Sequence, residues 1–481
     1  MFRETQYRIP ILLIILSFII WISFLVALAL KQKDINGIES TDSYFYLKLA
    51  ENTYEGKNYT HKVYSPGYSW IVSVLLYFGV DLELAGRIVS ATFSILSLIF
   101  AFLSFRTIGN DVAFFGSLSI AFLPQYIYYS TSTLPYSTAT FFLWSVFYIA
   151  IVSRKSRIIL PTIAGLLCGY GYIVRPENIL GAILFLLITR NIISFLFFVA
   201  GFFLSSLPYH ILSAQEGNLP SIISKFILYK VPGVGISTQD IEEQTEKIAE
   251  QAFSIKNHIR YFLSNIHLSH KYAIPNLVAP ISLIIFGIGL GEILRNWREL
   301  KNKISPFLFF FLVWIIPIFS LIIVADYILI PILITFGAVC GNFFKHIGRL
   351  KTFFLVFIML SLNIFWSARP FYSDDGRKIY KIAGEWIRQN LGENKTIFEN
   401  TPITSFYANG IWTISPAKSE VCVLTSSDYF SPRTRSLIPL FISEENEDFK
   451  LAQKLKYKNI EAKIFIRKKE NQKNQELSDP K

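Results

Sequence analysis

The sequence predicts a polytopic α-helical membrane protein of about eleven to thirteen transmembrane helices, with a small C-terminal extracytoplasmic α/β domain. Three observations carry this reading. Of 481 residues, 52% are hydrophobic and 17% charged, whereas soluble domains carry about 25% charged residues. The apolar residues gather in long runs, many near the roughly 20 residues a helix needs to cross a hydrocarbon core of about 30 Å. Beyond residue 368 the pattern changes to short apolar stretches between polar ones. The 44 Phe, 25 Tyr and 8 Trp exclude a disordered chain, because they supply ample material for packing.

The first run, 9–30, follows Arg3 and Arg8. It is longer than the signal-peptide core of about 7–15 residues, and no A-x-A-like site follows, so it reads as a retained signal anchor. Further runs lie at 82–105, 112–129, 136–152, 158–174, 178–189, 192–213, 273–291, 305–325, 327–344 and 352–368. Segment 67–80 is either one more span or a segment lying in the interface. If it does not cross, Arg106, Arg154, Lys155, Arg157, Arg190, Arg295, Arg298, Lys301, Lys303, Lys345, Arg349 and Lys351 all fall on the N-terminal side of the bilayer. Basic loops mark the cytoplasm. The sequence therefore predicts a multi-pass plasma (inner) membrane protein with a cytoplasmic N-terminus. Its net charge, 46 − 34 = +12, reflects those loops and calls for no nucleic-acid partner.

Three long segments then lie outside: 31–81, 214–272 and 369–481. The domain division that follows is 1–368 for the membrane part, with its outer loops, and 369–481 for the extracytoplasmic part. In the first outer segment Asp42 precedes a short helix, 43–55, which stops at Gly56 and leads to the turn Ser65-Pro66-Gly67-Tyr68. In the second, 240–253 is an amphipathic helix. Asp240 and Glu243 form a capping box there, and Glu243 pairs with Lys247. In the third, a helix over 377–391 ends at Gly392, strands follow at 396–398 and 421–424, and the Lys-, Glu- and Gln-rich tail beyond Lys463 frays. Cys168, Cys340 and Cys422 have no metal or redox spacing and no disulfide pattern. His258, His267 and His270 do not make a zinc site.

Ionisable residues at membrane level are costly and are functional candidates by default. Asp42, just past the first span, admits two readings: a general base taking a proton from an acceptor hydroxyl or amine, or a helix N-cap. Arg175-Pro176-Glu177 stands between two apolar runs. Its guanidinium could grip a phosphate with two donors, pair with Glu177, or snorkel to headgroups. Arg87, near the outer end of its span, has the same readings. Tyr44, Tyr64, Glu177 and Lys230 are possible supports, and Lys225, like Lys230, could attract an anion. His210 reads as a packed or interfacial histidine. Asp326 marks a turn between spans, and Asp374-Asp375 a solvated helix start.

In order along the chain, these features resemble the GT-C superfamily of membrane glycosyltransferases. The branch they resemble most is that of the dolichyl-phosphate-mannose protein mannosyltransferases and aminoarabinose transferases. The matching pieces are Asp42 with Tyr44-Phe45-Tyr46-Leu47-Lys48-Leu49-Ala50 and Gly56, then Ser65-Pro66-Gly67-Tyr68. Gly79 and Ala85-Gly86-Arg87-Ile88-Val89-Ser90 follow, then Arg175-Pro176-Glu177. Ile382-Ala383-Gly384-Glu385-Trp386-Ile387 opens the C-terminal domain. The resemblance covers residues 1–190, and the remainder as architecture.

It implies a GT-C-like fold and transfer of a sugar, with inversion, from a polyprenyl-phosphate-linked donor on the outer face of the membrane. Asp42 would be the catalytic carboxylate, Arg175 the contact to the donor phosphate, and Arg87 a further phosphate-side residue. The acceptor stays open among glycan, lipid and protein, because Ser43 stands where the protein mannosyltransferases have a second acid. The implied partners are the donor, the acceptor and membrane lipids. No cofactor is expected, since a monophosphate leaving group does not strictly need a divalent metal. The rival readings are a transporter or flippase of lipid-linked saccharides, a polymerase or ligase using diphosphate donors, and a non-catalytic scaffold.

Overall fold

The computed structural model describes residues 37–57, 64–153, 156–217, 280–321, 337–340, 358, 377–413, 415–426 and 437–468. The expected first span, the helix over 240–253, Lys225, Lys230, Asp326, Asp374, Asp375, His258, His267 and His270 lie outside these residues. So does most of the expected spans 327–344 and 352–368. The described residues fall into two compact units. One comprises residues from Tyr46 into the membrane helices; the other comprises 37–45 together with the C-terminal segment from 377.

The first unit is helical. Helix α1 (Thr41–Tyr54) is shared, because the division falls between Phe45 and Tyr46. Then come α2 (Gly67–Leu76), α3 (Leu82–Arg106), α4 (Asn110–Ala121), α5 (Pro124–Thr131), α6 (Tyr136–Val152) and α7 (Ile159–Val174). A 3₁₀ turn (Pro176–Ile179) leads into α8 (Leu180–Thr189), and α9 (Ile192–Gln215), α10 (Pro280–Arg295) and α11 (Trp297–Leu321) follow. Among the described residues, α3 and α9 are each long and apolar enough to cross a bilayer. At 10 residues, α2 is about 15 Å long at 1.5 Å per residue. That is about half the thickness of a hydrocarbon core. The exposed side chains of Val74, Tyr77 and Phe78 at its end are the kind that sit at a membrane interface.

The expected span 112–129 is corrected to a broken pair, α4 and α5, bent by 66°. Pro124 has no N–H to continue the helix, and Leu123 before it is forced to extended backbone (φ −67°, ψ 133°). The helix expected over 43–55 begins two residues earlier. The Ser40 hydroxyl accepts the Ser43 N–H at 3.3 Å, which places Asp42 inside the first turn and not at the cap. Helices α7 and α9 pack backbone to backbone. A Cβ on Gly165 or Gly169 of α7 would run into the Phe198 or Phe202 carbonyl of α9. Small residues four apart open such a seam in a bilayer, where dispersion and close approach replace the hydrophobic effect. His210 stacks on Tyr172, 5.6 Å between ring centroids, as a packed histidine would.

The second unit is an α/β fold. It contains α12 (Lys378–Leu391), β1 (Thr396–Phe398), α13 (Ile403–Tyr407), β2 (Ile411–Thr413), β3 (Val421–Thr425), α14 (Ile438–Ser443), β4 (Phe449–Tyr457) and β5 (Ile460–Arg467). The sheet order is β2-β1-β3-β5-β4, with β1 parallel to β2 and β3 and the β4–β5 hairpin antiparallel. Every residue of β3 is buried, as expected of a strand covered on both faces. Ala383, Ile387, Ile397, Val421, Val423 and Ile464 form one core. Phe398, Cys422, Leu424, Phe441, Phe449 and Phe465 form the other.

The fraying expected beyond Lys463 is corrected for residues 464–467, while 469–481 lie outside the described residues. Strand β5 continues to Arg467, with Ile464 and Phe465 fully buried. A two-residue turn with Lys458 at φ +54° closes the hairpin. The three cysteines are all buried free thiols.

Candidate functional site

In the first unit, the seat of Arg175 is built from the sequence around it. Pro176 holds Arg175 in extended conformation (φ −148°, ψ 122°) at the end of α7. That position also puts a cation at a helix C-terminus, where the carbonyl dipoles favour it. Asn178 Nδ2 donates to the Ala139 carbonyl (3.0 Å) and the Gly171 carbonyl (3.2 Å). These bonds fix the Arg-Pro-Glu-Asn turn to α6 and α7. The guanidinium lies over the Tyr136 ring, 4.2 Å from its centroid, and Tyr136 in turn stacks on Tyr129 at 4.1 Å. Arg175 Nε reaches Glu177 Oε2 at 3.5 Å. The ion pair and the cation–π contact both hold the side chain in place, and Arg175 is only 5% exposed.

The Ser65-Pro66-Gly67-Tyr68 turn docks directly beside this seat. A Cβ on Gly67 would lie 2.7 Å from the Ile173 carbonyl carbon and the Val174 nitrogen, and Tyr170 Oη donates to the Gly67 carbonyl at 3.1 Å. Tyr68 then ties the turn to α3, with its hydroxyl donating to the Gly86 carbonyl at 2.9 Å. Tyr46 of α1 meets Tyr64 and Tyr68 edge to face, at 5.3 and 5.7 Å, and its carbonyl accepts from Ser69 Oγ at 2.7 Å.

Arg87 lies deeper than a residue at a span's outer end was expected to lie. It is 1% exposed. Nε and Nη2 both donate to Glu83 Oε1, at 3.1 and 2.8 Å, and Nη1 donates to the Thr131 carbonyl at 2.5 Å. Farther along α3, Ser90 Oγ donates to the Leu134 carbonyl at 3.1 Å. Arg87 and Ser90 thus pin the 131–135 loop that delivers Tyr136 beneath Arg175. The structure therefore brings Arg87, Arg175, Glu177 and Tyr64 into one connected network. Tyr68, from the turn singled out in the sequence, belongs to it, as do Glu83 and Tyr136, which were not anticipated. The i,i+4 spacing of Glu83 and Arg87 was the available signal. Tyr136 had none, because an aromatic at the head of an apolar run looks like any other core residue.

Asp42 and Tyr44 belong to the second unit. Asp42 is exposed, while Ser43 and Tyr44 beside it are buried. Glu39 Oε2 accepts the Ser43 hydroxyl at 3.2 Å. Tyr44 meets the Trp412 ring at 6.5 Å. In the same unit Glu399 is a buried carboxyl that accepts the Thr404 N–H (2.9 Å), the Ser405 N–H (2.6 Å) and the Ser405 hydroxyl (2.6 Å). Burial pushes it up to about 7 against the opposing pull of those donors. Glu420, by contrast, is held below the usual carboxylate range, first by the Thr396 N–H it accepts. Among the described residues, no three His, Cys, Asp or Glu side chains gather where they could hold a metal ion.

No family model matches the chain, and no curated protein matches it either. Solved structures do. The chain is similar to ArnT from Cupriavidus metallidurans bound to undecaprenyl phosphate, with a TM-score of 0.58 and 12% identity over 92% of this chain and 98% of that one. It is similar to the apo form of the same protein with a TM-score of 0.56 and 11% identity, over 92% and 97%. At such identity the likeness speaks for the fold alone: the chain folds like ArnT, in keeping with the architecture that the ordered motifs implied.

Proposed function

We propose that this protein is an enzyme that transfers a sugar from a polyprenyl-phosphate-linked donor to a glycan, lipid or protein acceptor at the outer face of the plasma membrane. The observation that carries this reading is the seat of Arg175: a nearly buried guanidinium, fixed by stacking and an ion pair, in a fold shared with a protein that binds undecaprenyl phosphate. In this reading Asp42 takes the proton of the acceptor hydroxyl or amine. The freed lone pair attacks the anomeric carbon, the bond from that carbon to the phosphate oxygen breaks, and polyprenyl phosphate leaves with inversion at the sugar. Charge builds on the leaving phosphate in the transition state, and a preorganised cation in low dielectric stabilises it where it develops. Glu177 orients the guanidinium. Arg87, whose donors serve Glu83 and the Thr131 carbonyl, acts as a positioning residue behind Tyr136. Tyr64 holds the turn beside Arg175, Tyr44 the start of α1, and Lys230 adds positive charge on the outer side. The reaction as written needs no cofactor.

The test is to incubate the purified protein with a panel of polyprenyl-phosphate sugars and identify products by mass spectrometry, with Asp42→Asn and Arg175→Ala in parallel. Asp42→Asn abolishes transfer while the protein still folds. Arg175→Ala raises the donor KM about 10- to 100-fold, the loss of one or two charge-assisted hydrogen bonds. Wild-type turnover by Asp42→Asn would remove the general-base assignment, and an unchanged donor titration would return Arg175 to a structural role.

A further inference from the structure

The segment carrying Asp42 is held from far away in the chain. Gly37 and Ile38 are buried, and so is Glu39 at 7% exposure. Tyr407 Oη accepts the Ile38 N–H at 3.0 Å. Gly37 has a left-handed φ of +68°, and a Cβ there would run into the Tyr407 hydroxyl. Arg377 Nη1 donates to the Glu39 carbonyl at 2.6 Å. Trp412 meets the rings of Tyr44 and Phe45 edge to face, at 6.5 and 5.9 Å. These grips fall on both sides of Asp42 in sequence, while the Asp42 side chain itself stays exposed.

Tyr407 and Trp412 are not independent. Both depend on Glu399. Its carboxyl gathers the N–H groups at the start of α13, the short helix that ends in Tyr407. Its carbonyl accepts Trp412 Nε1–H at 3.1 Å. One buried residue therefore fixes the loop behind each grip.

We infer that the C-terminal α/β unit is a positioning device for the reaction, with Tyr407 and Trp412 as its positioning residues, clamping residues 37–45 so that Asp42 is presented in one fixed orientation. The inference rests on the reading of Asp42 as the general base. It gives the C-terminal unit a role that neither its fold nor its polarity indicates. A carboxylate on the first turn of a helix, where ends fray, needs outside contacts to hold it within the tolerance that proton transfer demands. A displacement of about 1 Å can cost a factor of about 100 in rate.

The experiment uses the full chain in detergent, with Tyr407→Phe, Trp412→Leu and Trp412→Phe. Tyr407→Phe removes only the hydroxyl that takes the Ile38 N–H, and Trp412→Phe keeps a ring against Tyr44 and Phe45. Two readouts run together: kcat and donor KM with a polyprenyl-phosphate sugar that the wild type uses, and amide hydrogen exchange over 38–46 against the β3 amides as internal reference. The expected result is faster exchange over 38–46 in Tyr407→Phe and Trp412→Leu with β3 unchanged. In the same variants kcat falls about tenfold or more and donor KM stays within about twofold; Trp412→Phe recovers most of the lost kcat. Unchanged exchange over 38–46, or faster exchange with wild-type kcat, overturns the inference. So does a loss that appears in donor KM alone, or one that Trp412→Phe fails to recover. If the wild type transfers no sugar from any polyprenyl-phosphate donor, the proposed function fails instead, and the exchange result still decides whether the clamp exists.

Discussion

Glu399→Gln should change how the C-terminal unit responds to pH. Glu399 is 1% exposed, and a carboxyl that ordinarily titrates near 4.5 is pushed up to about 7 by burial. The folded unit therefore holds a proton that the unfolded chain has already released between these two values. Stability follows the difference in bound protons, so the contribution of Glu399 is fully present below pH 4.5 and is lost as pH rises to about 7. At about 1.36 kcal/mol per pH unit, the loss is about 3 kcal/mol. The glutamine amide does not ionise, so the variant lacks this slope. The assay is urea unfolding of the C-terminal unit in the full-length protein, followed by tryptophan emission at about pH 4.5 to 8 in wild type and variant. The wild-type stability minus that of the variant should fall by about 3 kcal/mol across the window and then level off. Parallel curves, or a difference that grows with pH, would refute the reasoning and mean that the donors from Thr404 and Ser405 outweigh desolvation.

The remaining predictions concern the membrane unit. Arg87→Met leaves Glu83 as an uncompensated buried carboxylate, which costs about 3–5 kcal/mol and lowers the melting temperature; the double variant Glu83→Gln/Arg87→Met recovers most of it. Gly67→Ala forces the turn off the Ile173–Val174 backbone, so thermal stability and donor affinity fall together; a variant indistinguishable from wild type would mean the turn adjusts freely. Tyr136→Leu removes the ring under Arg175 and raises donor KM by the equivalent of about 0.5–2 kcal/mol, measured by donor titration with kcat as the control.

Much of the architecture was legible along the chain. The runs at 82–105, 136–152, 158–174 and 192–213 became helices within two residues of their expected ends. The amphipathic helix ending at Gly392 and the strands at 396–398 and 421–424 also formed. The reading failed once to a non-local term and once to a local one that it overlooked. Residues 464–467, expected to fray with the tail, belong to a paired strand because Val421–Thr425 offers β5 a ladder, and Lys463 beside them bonds the Phe441 carbonyl and Glu444. The run at 112–129 carries no charge, so hydropathy passed over Pro124, although the missing N–H was written in the sequence.

The sequence by itself pointed to a helical membrane protein with a C-terminal α/β unit and offered Asp42 and Arg175-Pro176-Glu177 as candidates. Hydropathy, turn residues and the order of motifs are properties of neighbours in the chain. Only the tertiary structure decided that Arg87 turns inward to Glu83, that Tyr136 lies beneath Arg175, and that residues 37–45 pack with a segment that starts more than 300 positions later. Those outcomes depend on which buried donors and rings find one another once the chain is folded, and spacing along the chain does not encode that.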